Sequence, residues 1–182
     1  MDTPLDRFIT GEITIPASLE EVWHAWTTED GVCTFFAPRA RLDLRPGGAY
    51  EMLFDLEAQP GQQGGEGMYL LAIQPKQMLS FTWNAPPELP AVRDQMTHVV
   101  VRFYPLAEKS TRVTLRHDGW GSGGEWDQAF EYFERAWLQI VLPRLKYRFV
   151  VGPIDWDHPP GVAELTGLLD RTPGFKNHRP PE

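Results

Sequence analysis

Between Trp126 and Val141 the apolar positions fall at steps of three and four: Trp126, Phe130, Phe133, Trp137, Ile140 and Val141. That spacing puts six bulky side chains on one face of a helix, predicted over residues 125–150. Ser122 and Glu125 have the S-x-x-E spacing of a capping box at its start. Arg144, Lys146 and Arg148 sit in the last turns, where the helix dipole favours positive charge. Gly152-Pro153 stops the helix. Pro143 deletes one backbone bond and predicts a bend near Gln139. Burying four such side chains contributes roughly 6–12 kcal/mol, at about 1.5–3 each. The rest of the chain is therefore expected to wrap this face.

Elsewhere the period is mostly two. Residues 8–15 alternate as a strand that Pro16 ends. Ser18 and Glu21 give a second capping box. It opens a helix with Leu19, Val22, Trp23 and Trp26 on its apolar side, and a short helix follows from Thr28 towards Phe35 and Phe36. Leu42 and Leu44 alternate with charged residues. Arg45-Pro46-Gly47-Gly48 matches a type II turn. Tyr50, Met52 and Phe54 share one face of the next strand, with Glu51 and Asp55 on the other. Residues 57–66 read as a mobile, Gly-rich loop. Residues 67–73 are apolar on both faces, as in a central strand, and Leu79, Phe81 and Trp83 alternate in the next. Residues 84–95 form a second long loop with three prolines. Residues 97–104 and 111–118 pair as a hairpin.

Strands in a run, then a helix, indicate an α+β fold. The expected architecture is a curved antiparallel sheet of six to seven strands around the long C-terminal helix, with two short helices after the first strand. Residues 1–150 are read as one domain and 151–182 as a Pro-rich tail. In that tail GVAELTGLLD predicts a short helix, and Ile154, Trp156, Leu165, Leu168 and Leu169 offer docking side chains.

Composition narrows the function. The 182 residues carry 17 basic and 25 acidic side chains, a net charge of −8. Nucleic-acid binding and a polybasic membrane patch both need clustered Lys and Arg, so both are excluded. No apolar run is long enough to span a bilayer. The N-terminus lacks the basic and apolar regions of a signal peptide, so a cytoplasmic location is expected. Cys33 is the single cysteine, which leaves no intrachain disulfide or Cys-based metal cage.

Three stretches carry a family resemblance: ITIPASLEEVWHAWTTEDGVCTFFAPRARLDLRPGGAYEM, GMYLLAIQPKQMLSFTW and VVVRFYPLAEKSTRVTLRHDGW. Their order and spacing resemble the START-like (SRPBCC) helix-grip superfamily, in the group similar to the C-terminal domain of the activator of Hsp90 ATPase. The resemblance covers about Phe8 to Trp137. It implies a helix-grip fold with a hydrophobic cavity between sheet and helix, and no universal catalytic residues. On this resemblance the chain is expected to start directly at this fold, without the additional N-terminal domain such activators carry.

The candidate chemistry is sparse. A hairpin register that buries Val101 and Phe103 opposes Val99 to His117, so His98 points outward beside Asp118 and no two-histidine metal pair forms. His117 then lies on the inner face near Trp120. A satisfied structural histidine is the first reading, and cavity hydrogen bonding or proton transfer the second. Cys33 reads as a packed residue. No phosphate loop, G-x-S-x-G or H-E-x-x-H is present. The aromatic residues are the signal. Phe36, Tyr50, Met52, Phe54, Phe81, Trp83 and Val101 converge from the sheet side. Trp126, Phe130, Phe133 and Trp137 converge from the helix, with His117 and Trp120 between. A concave apolar space of this kind is a small-molecule site. The expected function is binding of a hydrophobic or aromatic small molecule, without metal or cofactor. The alternatives are a cyclase- or hydrolase-type enzyme using His117, and a partner of an Hsp90-type chaperone. A monomer or homodimer is expected.

Overall fold

The structure is a computed structural model that describes residues 7–170 and 176–177. Strand β1 (Ile9–Ile15) alternates buried and half-buried residues as the period-two pattern predicts. Helix α1 (Leu19–Thr27) opens on the Ser18 capping box. The Ser18 hydroxyl accepts from the Glu21 N–H at 3.3 Å, and the Glu21 carboxylate accepts from the Ser18 N–H at 2.8 Å. Helix α2 (Glu29–Val32) follows with Thr28 as its N-cap.

Strands β2 (Arg39–Leu42), β3 (Tyr50–Leu53) and β4 (Gly64–Gly65) form a small antiparallel sheet. Strands β5 (Leu70–Gln74), β6 (Met78–Trp83), β7 (Thr97–Ala107) and β8 (Ser110–Asp118) join β1 and β9 (Lys176–Asn177) in the main sheet. Its order is β5-β6-β7-β8-β1-β9. The short helix α3 (Pro90–Arg93) precedes β7. Helix α4 (Glu125–Arg135), a π-helical segment (Ala136–Val141) and α5 (Leu142–Val150) form one long helix of 26 residues. Helix α6 (Val162–Asp170) packs back on it. The helix-grip, α+β architecture is as expected.

The hairpin register is the one burial demands. Val99 faces His117, Val101 faces Leu115 and Phe103 faces Val113. These residues are all buried, with His117 against Phe133 and Trp137 of the long helix and Phe103 against Trp23 and Trp26 of α1. Gly47 has φ +78° at the third turn position, as a type II turn requires.

Several expectations need correction. Ser122 does not cap the long helix. Gly123 and Gly124 both take positive φ, which carries Ser122 away, and Gly124 becomes a cap without a side chain. The Glu125 carboxylate instead accepts from the Ala91 N–H at 2.8 Å, tying α3 to α4. Beside the bend expected of it, Pro143 changes the winding. Its missing N–H is absorbed by the π-helical turn, in which the Leu142 N–H reaches back to the Trp137 carbonyl. Residues 67–73 are central only in part: Met68–Leu70 bond to residues 47–50 on one side and to β6 on the other, but β5 ends the main sheet, with a bulge between Leu70 and Ala72 and both Tyr69 and Leu71 exposed. The tail docks in part. The Ile154 N–H donates to the Thr34 carbonyl at 2.9 Å, the Trp156 indole N–H donates to the Cys33 carbonyl at 2.7 Å, and Leu165 is buried. The rest of the tail expectation, residues 171–175 and 178–182, lies outside the described residues.

Gly31 shows how tightly α1 and α2 close on each other. A Cβ there would stand 2.3 Å from the His24 carbonyl oxygen and 2.7 Å from the Ala25 Cα, both backbone atoms that cannot swing aside. Gly31→Ala is expected to lower stability by about 1–3 kcal/mol through overpacking, read as a fall in the urea midpoint at unchanged slope. An unchanged midpoint refutes that packing.

Candidate functional site: a cleft between the small sheet and the long helix

The aromatic core separates into filled and hollow parts. Trp26 is fully buried against Phe35, Phe36 and Phe103, with ring centroids 5.2–6.2 Å apart. Tyr50 stacks on Phe81 at 4.6 Å and donates its hydroxyl to the Trp26 carbonyl at 2.9 Å. Burial holds that phenol far above its ordinary pKa, so it remains a neutral donor.

Beyond Phe36 the packing opens. A cavity of about 320 Å³ lies between the middle of the long helix, the β3–β4 connection and the proline-rich loop before α3. Phe36, Trp83, Phe133, Trp137, Ile140 and Val141 supply apolar wall. Trp83 and Trp137 lie 5.8 Å apart, and each is under 6 Å from Phe36. Phe54 and Tyr132 stand at the mouth, each over 40 % exposed. The volume falls in the range of small-ligand sites.

Five of the thirteen residues expected to converge do line this space: Phe36, Phe54, Trp83, Phe133 and Trp137. Tyr50, Met52, Phe81 and Val101 are instead spent on the filled core. Trp120 and Trp126 cover a second cluster under α3, formed by Ala85, Leu89, Val92 and Ala129. Phe130 packs on Trp120 and under the Arg7 guanidinium. Phe54 and Asp55 break the expected alternation because β3 ends at Leu53 and both N–H groups turn onto the Gln63 carbonyl. Asp55 therefore lines the cavity where alternation placed it outside.

The loops that close the mouth are held by two residues without a periodic signal. The Arg93 guanidinium donates to the carbonyls of Ala85, Gly61 and Gly64, the last two at 2.9 Å. The Glu66 carboxylate accepts from the Gly61 and Gln63 N–H groups at 2.6 and 2.7 Å and lies 3.7 Å from Arg93. Residues 57–66, expected to move freely, are thus tied to residues 84–93. Arg144 was also missed as a lining residue. Its signal was present: the step from Trp137 to Ile140 and Val141 reaches Arg144 next.

His117 sits behind the wall. It is fully buried between Trp120, Phe133 and Trp137 and does not line the cavity. The Trp137 indole can only donate, so Nδ1 accepts from it at 2.9 Å. The Thr97 hydroxyl donates to the Trp83 carbonyl at 3.0 Å, so it accepts from Nε2–H at 2.6 Å. Both nitrogens are satisfied by the neutral tautomer. Burial, and secondarily the nearby His98, push its pKa well below 6.5.

That shift has a signed consequence. The unfolded chain takes up a proton below pH 6.5 that the folded ring refuses, so this contribution is whole above 6.5 and is lost as pH falls. The expected slope is about 1.4 kcal/mol per pH unit from 6.5 down to the folded pKa. Urea midpoints between pH 5 and 8 for the native protein and His117→Gln read it. Identical pH profiles would contradict the neutral assignment.

Other chemistry is weaker. On the outer face Ser80 Oγ meets His98 Nε2 at 2.7 Å, and His98 Nδ1 meets Asp118 Oδ1 at 3.2 Å. The order is that of a nucleophilic triad. The strand N–H groups around it are committed to the ladder, so no donor pair awaits an oxyanion. A groove of about 450 Å³ crosses the same face, with Glu12, Arg102 and Arg116 among its walls; no aromatic side chain lines it. Burial raises the Cys33 thiol pKa, with Glu29 and Asp30 adding to it, which disfavours the reactive thiolate. Among the described residues no three His, Cys, Asp or Glu side chains converge for a metal, and no helix is long and apolar enough to cross a membrane.

Comparison with known proteins agrees with this fold. The fold is similar to that of the Aha1 dimer from Colwellia psychrerythraea, at 20 % identity and TM-score 0.61, over 80 % of this chain and 98 % of that one. It is also similar to CalU16 from Micromonospora echinospora, at 19 % identity and TM-score 0.59, over 94 % and 88 % of the two chains. DynU16, from the dynemicin biosynthetic locus, matches at 19 % identity and TM-score 0.59 over 81 % of this chain. This chain spans only about half of DynU16, 49 %. No curated protein matches it. At such identities the likeness concerns the fold alone. In sequence, residues 16–148 match the family described as Activator of Hsp90 ATPase homolog 1-like protein. That match covers well over half of the chain, which therefore belongs to the Activator of Hsp90 ATPase homolog 1-like family.

Proposed function

We propose that the protein binds an apolar or aromatic small molecule in the cleft between the small sheet and the long helix. The observation that carries this reading is the unfilled space beside Trp83 and Trp137, in a core that is elsewhere close-packed. Two features support it. Phe54 and Tyr132 leave apolar surface in water at the mouth. Arg93 and Glu66 preorganise the loops around that mouth, which lowers the ordering cost of binding. His117 fits as a structural support of the Trp137 wall and not as an acid or base, since neither nitrogen is available to a ligand.

Thermal melting and tryptophan fluorescence across a panel of aromatic and aliphatic compounds test the reading. A binder at a hundred times its Kd stabilises the protein by about 2.7 kcal/mol. Ligand binding is expected to perturb the emission of Trp83 and Trp137. A panel that shifts neither signal argues against it.

A second reading, a partner of an Hsp90-type chaperone as monomer or homodimer, is supported by the family description and the likeness to the Aha1 dimer. Addition of the protein to Hsp90 from the same source, with ATP turnover measured, tests it; an unchanged rate removes this reading.

A further inference from the structure

The cleft is electrically lopsided. Arg144 is the one cation among the described residues that line it. Its guanidinium carbon stands 5.2 Å over the Trp156 ring, which Cys33 anchors from behind. Its Nε is buried and has no hydrogen-bond partner within the described residues, and no carboxylate pairs with it. Arg112 and Arg148 also have a buried Nε without a hydrogen-bond partner among the described residues, but neither lines the cleft. Burial also presses the Arg144 guanidinium pKa downward, the mark of a charge held without compensation. Desolvated charges are stable when they are paired. Of the acidic lining residues, Asp55 is engaged by the Glu57 and Ala58 N–H groups, and Glu88 stands close enough to raise the pKa of the Tyr132 phenol. Tyr132 and Arg144 are twelve residues apart on the long helix, about 18 Å at 1.5 Å per residue. Glu88 thus lies towards the Tyr132 end of the trough and Arg144 towards the other.

We infer that the ligand is an anionic amphiphile, an aromatic or aliphatic carboxylate or a comparable oxyanion. Its apolar body lies between Trp83 and Trp137, and its charged group is received by Arg144. This rests on the small-molecule reading above and adds the chemical class. The planar guanidinium, already stacked on Trp156, offers its free N–H groups to two oxygens at once, a geometry that Lys cannot supply. A neutral ligand of the same shape would leave the cation uncompensated.

A matched pair of dyes separates the two levels. Anilinonaphthalenesulfonate carries the anion, and phenylnaphthylamine is the same ring system without it. The native protein is expected to bind both. Arg144→Met is expected to weaken the sulfonate about tenfold or more and the neutral dye by less than about twofold, since charge-assisted bonds are the stronger class. Arg144→Lys should recover only part of the loss. Raising salt on the native protein should weaken the sulfonate alone, which reads the same point if Arg144→Met fails to fold. Ile140→Trp, which fills the trough, should abolish both. Equal affinities for the two dyes, unaffected by salt or by Arg144→Met, overturn the anion inference and leave the cleft standing. If neither dye binds, or Ile140→Trp leaves binding unchanged, the small-molecule reading falls as well.

Discussion

Replacing His117 by Ala is expected to cost about 3–5 kcal/mol of stability, because two buried partners are orphaned and a ring is lost. The Trp137 indole N–H loses its acceptor, and the Thr97 hydroxyl loses its donor. Trp120, whose ring lies 4.2 Å away, loses the surface it packs on. For a chain of this length the melting point should fall by about 6–20 °C. His117→Gln keeps an acceptor and a donor on a flexible stem and should recover part of the loss. A melting point unchanged in His117→Ala would mean that the histidine is not a structural support. The catalytic alternative would then regain its standing.

Trp137→Ala is expected to cost about as much, 3–5 kcal/mol, by the usual penalty for removing a large buried aromatic. Trp137 is 1 % exposed and touches Phe36, Trp83 and His117, so it belongs to the core and to the cleft together. Its loss should enlarge the cleft and free His117 Nδ1. The two substitutions share one hydrogen bond, so their effects should fall short of additive by about 0.5–3 kcal/mol. Chemical denaturation of both single variants and the double variant reads the coupling. Strict additivity would separate the histidine from the wall it is proposed to hold.

Much of the architecture was legible because burial acts on repeating patterns. The long helix is visible in the steps from Trp126 to Val141. The Val99–His117 register followed from one physical demand, that Val101 and Phe103 turn inward. The Ser18 box is local, and local chemistry suffices for it. The site was less legible. Periodicity marks which residues face inward, but it does not say whether the space they face is full. Tyr50 and Phe81 meet each other, whereas Trp83 and Trp137 border a hollow, and nothing in their spacing distinguishes the two pairs. The clamp from Arg93 to Gly61 and Gly64 joins segments about thirty positions apart, inside stretches without any period. Ser122 was misplaced for a similar reason. The capping pattern was present, but two successive glycines at positive φ rerouted the backbone.

The same contrast explains how one residue serves two roles. His117 is neutral, sealed and fully bonded, and these properties hold Trp137 upright. Trp137 in turn lines the cleft beside Trp83 and Phe36.

The hollow itself is tested most directly by diffraction from crystals pressurised with xenon, which occupies dry apolar cavities. The account predicts a xenon peak in contact with Trp83, Trp137 and Val141, and its loss in Ile140→Trp. Side chains of Phe36, Phe54 and Ile140 packed across that volume, with no peak, would contradict it.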